Sequence, residues 1–181
     1  KVFKFGGASV KDPSAIQNVA SILSRYPKDK LLVIVSAMGK TTNALEEVVT
    51  AFHSGNQATA ISTFEAIKQA HLELISLLLK KRLQDAEIKL KDIFTEVEWI
   101  LHGSPARDFD YYYDQIVCTG ELMSSIILSE LLTEIEIKNN WLDVRDILRT
   151  DNQFREAVVD WEYTGLQVKE KALPLFDAAN I

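Results

Sequence analysis

The chain has 181 residues and a formal net charge of −6, and this acidic balance argues against a broad nucleic-acid surface, which needs clustered Lys and Arg against phosphates. Hydrophobic residues make up 47% and charged residues 25%, which is ordinary for a folded protein and argues against disorder. One cysteine excludes an intrachain disulfide, and the sequence shows neither an apolar stretch of about 18 residues nor a signal-peptide pattern. We therefore expect no membrane span and a cytoplasmic location.

The opening ten residues, KVFKFGGASV, predict a strand followed by a glycine turn. Apolar and polar residues alternate up to Phe5, and the adjacent Gly6 and Gly7 allow the backbone to come close to a ligand. The helix predicted next presents unpaired N–H groups at its N-terminus. Together with Lys4 at the end of the strand, this arrangement predicts an anion site. The alternative is a glycine turn beside an exposed lysine.

The next segments predict a strand–helix–strand unit. Apolar residues spaced three and four apart predict a helix over residues 14–25. The unbroken apolar run Leu31–Val35 predicts a strand covered on both faces of a parallel sheet. This strand leads through the hydroxyl-rich loop Ser36–Asn43 into another amphipathic helix. Since ligands bind outside the carboxyl ends of parallel strands, both strand-end loops are expected to converge on one site, although the hydroxyl residues could equally cap the second helix.

Two apolar stripes between Gln57 and Leu101 predict a helical hairpin that packs against itself and one edge of the sheet. His71 lies on an apolar stripe and is interpreted as a core histidine. The three histidines show no metal-ligand spacing, so no metal ligand is assigned. Cys118 follows apolar residues and has no paired histidine, which predicts a buried, inert thiol.

The last third of the sequence carries one further polar position of interest. Gly120 and Glu121 precede a strongly apolar helix, where a glutamate is also simply favourable in a first turn. Ile135–Ile137 and Trp141–Val144 suggest extended segments, and a last helix is predicted near Leu166–Leu173. The sequence shows no repeat, low-complexity tract or linker, which predicts no domain boundary within it.

Four segments, in the same order along the chain, resemble motifs of the aspartate kinases in the amino-acid kinase family. They are Lys4–Val10, Val35–Asn43, Gly120–Ser125 and Asp143–Thr150. The resemblance implies an α/β fold: a three-layer α/β/α sandwich with a mainly parallel sheet, truncated here, with a helical-hairpin insertion. It also implies transfer of the ATP γ-phosphoryl group to the side-chain carboxylate of aspartate, which gives 4-phospho-aspartate, the first step towards lysine, threonine and methionine.

The same resemblance assigns roles to individual residues. Lys4 is the implied catalytic residue and contacts the β/γ-phosphates. The implied phosphate-binding set is Lys4, Gly6, Gly7 and Ser9. The implied aspartate-binding set is Ser36, Ala37, Thr42 and Glu121, with Glu121 pairing with the substrate ammonium. ATP and Mg²⁺ are the implied cofactors, aspartate is the implied substrate, and the parent protein is expected to be a homo-oligomer. The role of Asp143, structural or substrate-facing, stays open.

The residues present suit this chemistry. A carboxylate is already ionised at neutral pH, so the reaction needs no general base. The protein then has to position the reactants and neutralise charge on the transferring group. Lysine, glycine amides and hydroxyl groups supply those functions.

Two departures from the family pattern matter. Ala8 stands where these enzymes usually carry Thr. In addition, the family's Gly-rich stretch, substrate-binding arginine, lysine-orienting aspartate and nucleotide pocket follow a segment like Phe176–Ile181, and regulatory ACT domains usually come after them. Residues 1–181 are therefore expected to be the N-terminal, amino-acid-binding part of the kinase domain, with negligible activity alone. The alternatives are a glutamate or N-acetylglutamate kinase and a non-catalytic binding domain.

Overall fold

The computed structural model describes residues 1–179 and 181, and it begins with a two-stranded parallel sheet. Strand β1 spans Val2–Phe5 and strand β2 spans Leu32–Val35, with Val2 opposite Leu32. Helix α1, Pro13–Leu23, connects the two strands. The predicted strand–helix–strand unit is therefore confirmed, including the parallel pairing.

Helices make up most of the remaining structure. They are α2 (Thr41–His53), α3 (Gln57–Leu78), α4 (Leu83–Leu101), α5 (Phe109–Val117), α6 (Thr119–Glu134), α7 (Trp161–Gln167) and α8 (Leu175–Ala178). The predicted helical hairpin is the pair α3 and α4. It packs mainly on α2 and α6, with a smaller contact between α3 and α1, so the expectation that it lies against an edge of the sheet is wrong, because its main neighbours are helices.

The two faces of the sheet differ in burial. Val33 and Val35 line an apolar space together with Leu128 of α6, so α6 covers this face. The opposite face is open: Val2 is 68%, Leu32 48% and Ile34 44% exposed. The prediction that the second strand is covered on both faces is therefore wrong for this chain, which supplies a helical layer on one side of these strands.

Helices α5 and α6 follow one another through Cys118, which itself has helical dihedral angles. The run Phe109–Glu134 is long and apolar enough to cross a membrane by length and composition, contrary to the expectation from sequence, yet 72% of its most apolar window is buried inside the fold. Because most of these side chains pack against other helices, we interpret the run as the central core helix.

The C-terminal third departs most from the prediction. Helix α6 ends in a turn in which Ile137 donates to the Leu132 carbonyl and Glu136 adopts a φ of 65°. Residues after it form a 3-10 turn at Val144–Asp146. Neither segment expected to be extended forms a strand: residues 135–137 close α6, and residues 141–144 lead into the 3-10 turn, although Asp143 itself has extended dihedral angles. The last helix, predicted near Leu166–Leu173, begins earlier, at Trp161, as α7. It continues as a π-helical turn over Val168–Ala172.

An ion cluster anchors the start of α4 to the end of α6. Glu130 is 1% exposed and accepts hydrogen bonds from Arg82 Nε at 2.8 Å and Lys89 Nζ at 2.5 Å. The Glu134 carboxylate accepts from the backbone N–H groups of Lys80 at 2.9 Å and Arg82 at 3.1 Å. Burial opposes both negative charges, but these donors outweigh it and lower the pKa of Glu130 and of Glu134.

Candidate functional site

The loops that follow β1 and β2 lie against each other at the carboxyl end of the sheet. Ser36 N–H donates to the Phe5 carbonyl at 3.0 Å, and Gly39 N–H donates to the Gly7 carbonyl at 3.1 Å. These bonds extend the strand pairing beyond β1 and β2. The convergence expected from the parallel topology is therefore present in the structure.

Gly7 makes the close approach of the two loops possible. A Cβ atom at this position would lie 2.8 Å from the Ala37 carbonyl oxygen, a backbone atom that cannot move aside. Gly7 begins a 3-10 turn, Gly7–Val10, in which Ser9 N–H donates to the Gly6 carbonyl at 2.8 Å. Gly6 and Ser9 are exposed at this turn.

The N-terminus of α1 does not supply the anion site that the sequence suggested. Asp12 caps this helix, and its side chain accepts from Ala15 N–H at 2.8 Å. The Asp12 carboxylate therefore already occupies this end of the helix. The exposed backbone near the glycines belongs to the 3-10 turn and not to α1.

Lys4 lies at the carboxyl end of β1 with its side chain on the open face of the sheet. Among the residues that the structure describes, its amino group has no hydrogen bond or ion pair. Phe5, the next residue, faces the core. The ammonium group is therefore free to meet a ligand at the strand ends.

Glu121 approaches the same loops from the covered side of the sheet. Its Oε1 accepts from Ala37 N–H at 3.2 Å, and within residues 1–179 and 181 its Oε2 has no partner. Gly120 allows this contact, because a Cβ there would lie 2.9 Å from Ala37 Cβ and 3.1 Å from Leu45 Cδ1. The first turn of α6 thus packs directly on the loop after β2.

The hydroxyl residues of the second loop have a defined place. Helix α2 begins at Thr41 after Lys40, and no side chain caps it. The alternative that Thr41, Thr42 and Asn43 serve as caps is therefore not what the structure shows. Thr42 is half-buried in the first turn of α2, close in sequence to the half-buried Ser36.

Asp143 has structural partners. Its side chain accepts from Arg145 N–H at 2.9 Å and pairs with the Arg145 guanidinium at 2.7 Å. Arg145 also pairs with Glu96 of α4 at 2.7 Å. The open question about Asp143 is thus answered in part: it orders the 3-10 turn and ties it to α4.

Cys118 lies between the two helices that form the central run. Burial raises the pKa of its thiol to about 11, and the nearby Glu121 carboxylate adds to this effect against the opposing charge of Arg145. The thiol is therefore protonated at neutral pH, in keeping with the expected inert cysteine.

A short hairpin at residues 149–160, which docks on α5, was not predicted from the sequence. The Phe154 ring contacts Tyr111 edge-on, with centroids 5.1 Å apart, and the Arg155 guanidinium lies 4.2 Å from the centre of the Tyr113 ring. The tyrosine run at 111–113 was the available signal, since neighbouring aromatic side chains on a short helix need apolar partners.

The carboxylates of this region do not form a metal centre. Within the part of the chain that the structure describes, no three His, Cys, Asp or Glu side chains are grouped so that they could hold a metal ion. Any divalent cation at these loops would need most of its ligands from elsewhere, as Mg²⁺ bound to substrate phosphates does.

Comparison with known proteins identifies a family and several relatives. The model of the amino acid kinase family matches residues 1–171. Lysine-sensitive aspartokinase 3 of Escherichia coli is 32% identical over 160 residues, which cover 88% of this chain and 34% of that protein. Aspartokinase 1, chloroplastic, of Arabidopsis thaliana is 31% identical over 177 residues, covering 91% of this chain and 29% of that protein.

A solved structure has the same fold. The crystal structure of E. coli aspartokinase III in complex with aspartate and ADP superposes with a TM-score of 0.82 at 26% identity, covering 98% of this chain and 39% of that one. The chain spans about a third or less of the length of the curated relatives it matches.

Proposed function

The chain belongs to the amino acid kinase family, and from this premise we propose that it is the acceptor-binding part of an aspartate kinase. The reaction is transfer of the γ-phosphoryl group of ATP to the side-chain carboxylate of aspartate. The observation that carries the proposal is the contact of three separate segments at one strand end: Gly39 with Gly7 at 3.1 Å, and Ala37 with Glu121 at 3.2 Å.

Charges on the two sides of this strand end, Lys4 on the open face of the sheet and Glu121 on the covered face, match the two ends of the reaction. Lys4 has an ammonium group that pairs with no other described residue, which suits the phosphates, and the exposed residues of the turn after Gly6 lie at the same strand end. Ser9 and Gly6 complete the phosphate-binding set. In the transfer, an aspartate carboxylate oxygen forms the new bond to phosphorus while the bond to the β,γ-bridging oxygen breaks, and ADP leaves.

On the acceptor side, Glu121 is the proposed partner of the substrate ammonium. One of its oxygens is oriented by Ala37 N–H, which leaves the other for the ligand. Ser36 and Thr42 border the acceptor in this proposal. Because the acceptor carboxylate needs no deprotonation, orientation of the substrate between Glu121 and Lys4 is the main contribution of these residues.

ATP and Mg²⁺ are the proposed cofactors. The aspartokinase III structure named above contains ADP, and the unpaired Lys4 and glycine turn of this chain suit a polyphosphate. The described carboxylates are not grouped to hold a metal by themselves, so we propose that Mg²⁺ enters with the nucleotide, bound to its phosphates.

The nucleotide-binding half and the regulatory ACT domains are proposed to lie in other parts of the parent protein. The share of the curated relatives that this chain matches, 34% of E. coli aspartokinase 3, supports this division, as does the open apolar face at Val2, Leu32 and Ile34. We propose that the isolated chain has negligible activity, and that the parent is a cytoplasmic homo-oligomer of lysine, threonine and methionine biosynthesis.

Substrate assays of the full-length parent test the proposal. We expect ADP release with aspartate and little with glutamate or N-acetylglutamate, and Glu121→Gln should raise the KM for aspartate about tenfold or more, since a charge-assisted bond to the ammonium is lost. Preference for N-acetylglutamate, whose nitrogen is uncharged, would contradict the role of Glu121. Absence of turnover and of calorimetric binding with all three would favour a non-catalytic domain.

A further inference from the structure

The segment from Arg149 to Asp160 folds into a short hairpin. Asp160 N–H donates to the Arg149 carbonyl at 2.9 Å, and Asp151 N–H donates to the Val158 carbonyl at 3.1 Å. The Asp151 side chain also accepts from the N–H groups of Gln153 and Val158, both at 3.1 Å. The hairpin is therefore ordered by its own hydrogen bonds.

The tip of this hairpin is bound to α5 by one residue in particular. Arg155 N–H donates to Asp114 Oδ2 at 2.8 Å, and its guanidinium lies over the Tyr113 ring. The guanidinium is also 3.5 Å from Asp110 Oδ1. Backbone and side chain of Arg155 thus both contact the same helix face.

The backbone of Arg155 is in a conformation that favours glycine. Its φ is 66°, and the other non-glycine residue with positive φ within residues 1–179 and 181 is Glu136 at 65°. Glu136 ends a helix, where this conformation is common. Arg155 lies in a turn that Glu156 N–H closes on the Gln153 carbonyl at 3.1 Å, and the bond to Asp114 holds this turn against α5.

Arg155 lies on the side of the central helix run that carries Glu121. Asp114 precedes Glu121 by seven residues, which places both on nearly the same face, about 10 Å apart along the axis. Tyr113, beneath the guanidinium, donates from its hydroxyl to Glu46 Oε1 at 2.6 Å. Glu46 lies one turn after Thr42 in α2, so this contact borders the proposed acceptor site.

The charges at this border are unbalanced without Arg155. Arg155 contacts the carboxylates of Asp110 and Asp114 directly, and the Glu46 carboxylate lies beyond Tyr113, whose hydroxyl donates to it. An acceptor with two carboxylates and one ammonium carries a net negative charge at neutral pH, so those three groups would repel it. A single guanidinium next to them reduces that repulsion.

We propose that Arg155 is a positioning residue for an anionic acceptor. It holds the 149–160 hairpin on α5 and sets the electrostatic potential on the acceptor side of the site. This inference rests on the proposed function, because it requires that Glu121 bind the acceptor. It goes beyond that function by assigning acceptor affinity to a residue outside the strand-end loops.

The test compares two substitutions in the full-length parent protein. Arg155→Gln removes the charge and keeps the length, and Arg155→Lys keeps the charge. For Arg155→Gln we expect the KM for aspartate to rise about three- to tenfold at low salt, as a unit charge acting over about 10 Å allows. The values of kcat and of the KM for ATP should stay within about twofold, and Arg155→Lys should keep the aspartate KM within about twofold.

Salt dependence separates an electrostatic role from a structural one. At about 0.5 M salt the difference between Arg155→Gln and the unsubstituted protein should shrink to less than about twofold, because the charges are screened. Arg149→Gln is the matched control: its guanidinium lies over Tyr163 at 3.7 Å at the base of the hairpin, and its KM values should not change.

The outcomes distinguish this inference from the proposed function. Turnover of aspartate with an unchanged KM in Arg155→Gln would overturn the inference and leave the function intact. Equal changes in both KM values, with a lower Tm and no salt dependence, would also overturn it. Should the parent use glutamate instead, the proposed function would fail, and the same variants assayed with glutamate would decide the role of Arg155.

Discussion

The two ends of helix α6 carry glutamates in opposite circumstances. At its start, Glu121 is exposed and makes one hydrogen bond, to Ala37 N–H at 3.2 Å. At its end, Glu130 is buried between Arg82 and Lys89, and Glu134 accepts from backbone amides. The carboxylates of Glu130 and Glu134 have hydrogen-bond donors within the chain, whereas Glu121 keeps one oxygen available.

This difference separates charges that stabilise the fold from charges that await a ligand. A buried carboxylate is tolerated only when donors surround it, and Glu130 meets that requirement. The charge of Glu121 contributes little to the stability of the folded chain. The same holds for Lys4, which pairs with no other described residue. We therefore expect substitutions at the two ends of α6 to change different measurable quantities.

The largest expected effect is on catalysis, at Lys4. Lys4→Ala in the full-length parent should lower kcat by about 100- to 1,000-fold, because a charge that stabilises the transferring phosphoryl group is lost. The free energy of unfolding should change by less than about 0.5 kcal/mol, as expected for an exposed side chain without partners. Lys1→Ala, which removes the exposed pair with Asp29 and the contact of the ammonium group with the Tyr26 ring, is the control. An unchanged kcat would remove Lys4 from the site.

The next effect is on stability, at the satisfied end of α6. Glu130→Gln should lower the free energy of unfolding by about 1–3 kcal/mol, less than for a fully buried pair because Arg82 and Lys89 remain partly exposed. Glu121→Gln should change it by less than about 0.5 kcal/mol. Urea unfolding of both variants measures the comparison directly, and equal losses of stability would show that the two ends do not differ.

A smaller loss is expected where α6 meets the loop after β2. Gly120→Ala should lower the free energy of unfolding by about 1–2 kcal/mol, because the added methyl would crowd Ala37 and Leu45. Gly165→Ala is a matched control in α7, where a Cβ meets nothing within 4 Å and alanine favours the helix. Thermal unfolding measures both, and a Gly120→Ala chain as stable as the original would show that the loop can move aside.

The smallest effect is a dependence of stability on pH at His71. Burial lowers the pKa of His71, against the opposing hydrogen bond to the Ile67 carbonyl, so the folded state keeps the ring neutral while the unfolded chain takes up a proton below about pH 6.5. The free energy of unfolding should therefore fall as pH decreases, by up to about 1.4 kcal/mol at pH 5.5.

The glutamates of the ion cluster act at lower pH. Their lowered pKa values mean that their contribution is lost only as pH falls below about 4.5. Urea unfolding between about pH 7.5 and 5.5 thus isolates the histidine. His71→Leu should flatten this dependence. A slope that persists in His71→Leu would assign it to other groups.

Local patterns in the sequence predicted the first hundred residues well. The strands, α1, α2 and the hairpin α3–α4 follow from periodicity, because each buries its apolar stripe against a neighbour in sequence. The segment Trp141–Val144 was predicted as extended, but among the described residues its backbone pairs with no strand. The Trp141 indole donates to Ser125 Oγ at 2.9 Å.

The candidate site depends on contacts that no local pattern encodes. Ala37 and Glu121 are 84 residues apart, and the resemblance to a family, not spacing, indicated that they share a site. The same limit explains why Arg155 was missed: its role depends on a turn conformation and on Tyr113, and neither follows from residue type. Burial of β2 on one face was also beyond prediction, because its apolar run is compatible with either arrangement.

The anchoring of α6 at one end has a consequence for motion. Glu130 and Glu134 tie its last turns to α4, whereas a single bond from Glu121 to Ala37 joins its first turn to the neighbouring loop. Hydrogen–deuterium exchange should therefore be slow near residue 130 whether or not amino acid is present, and around residues 119–123 it should slow when an amino acid binds at Glu121. Such a gradient along one helix would let the first turn of α6 adjust to a bound amino acid without disturbing the core.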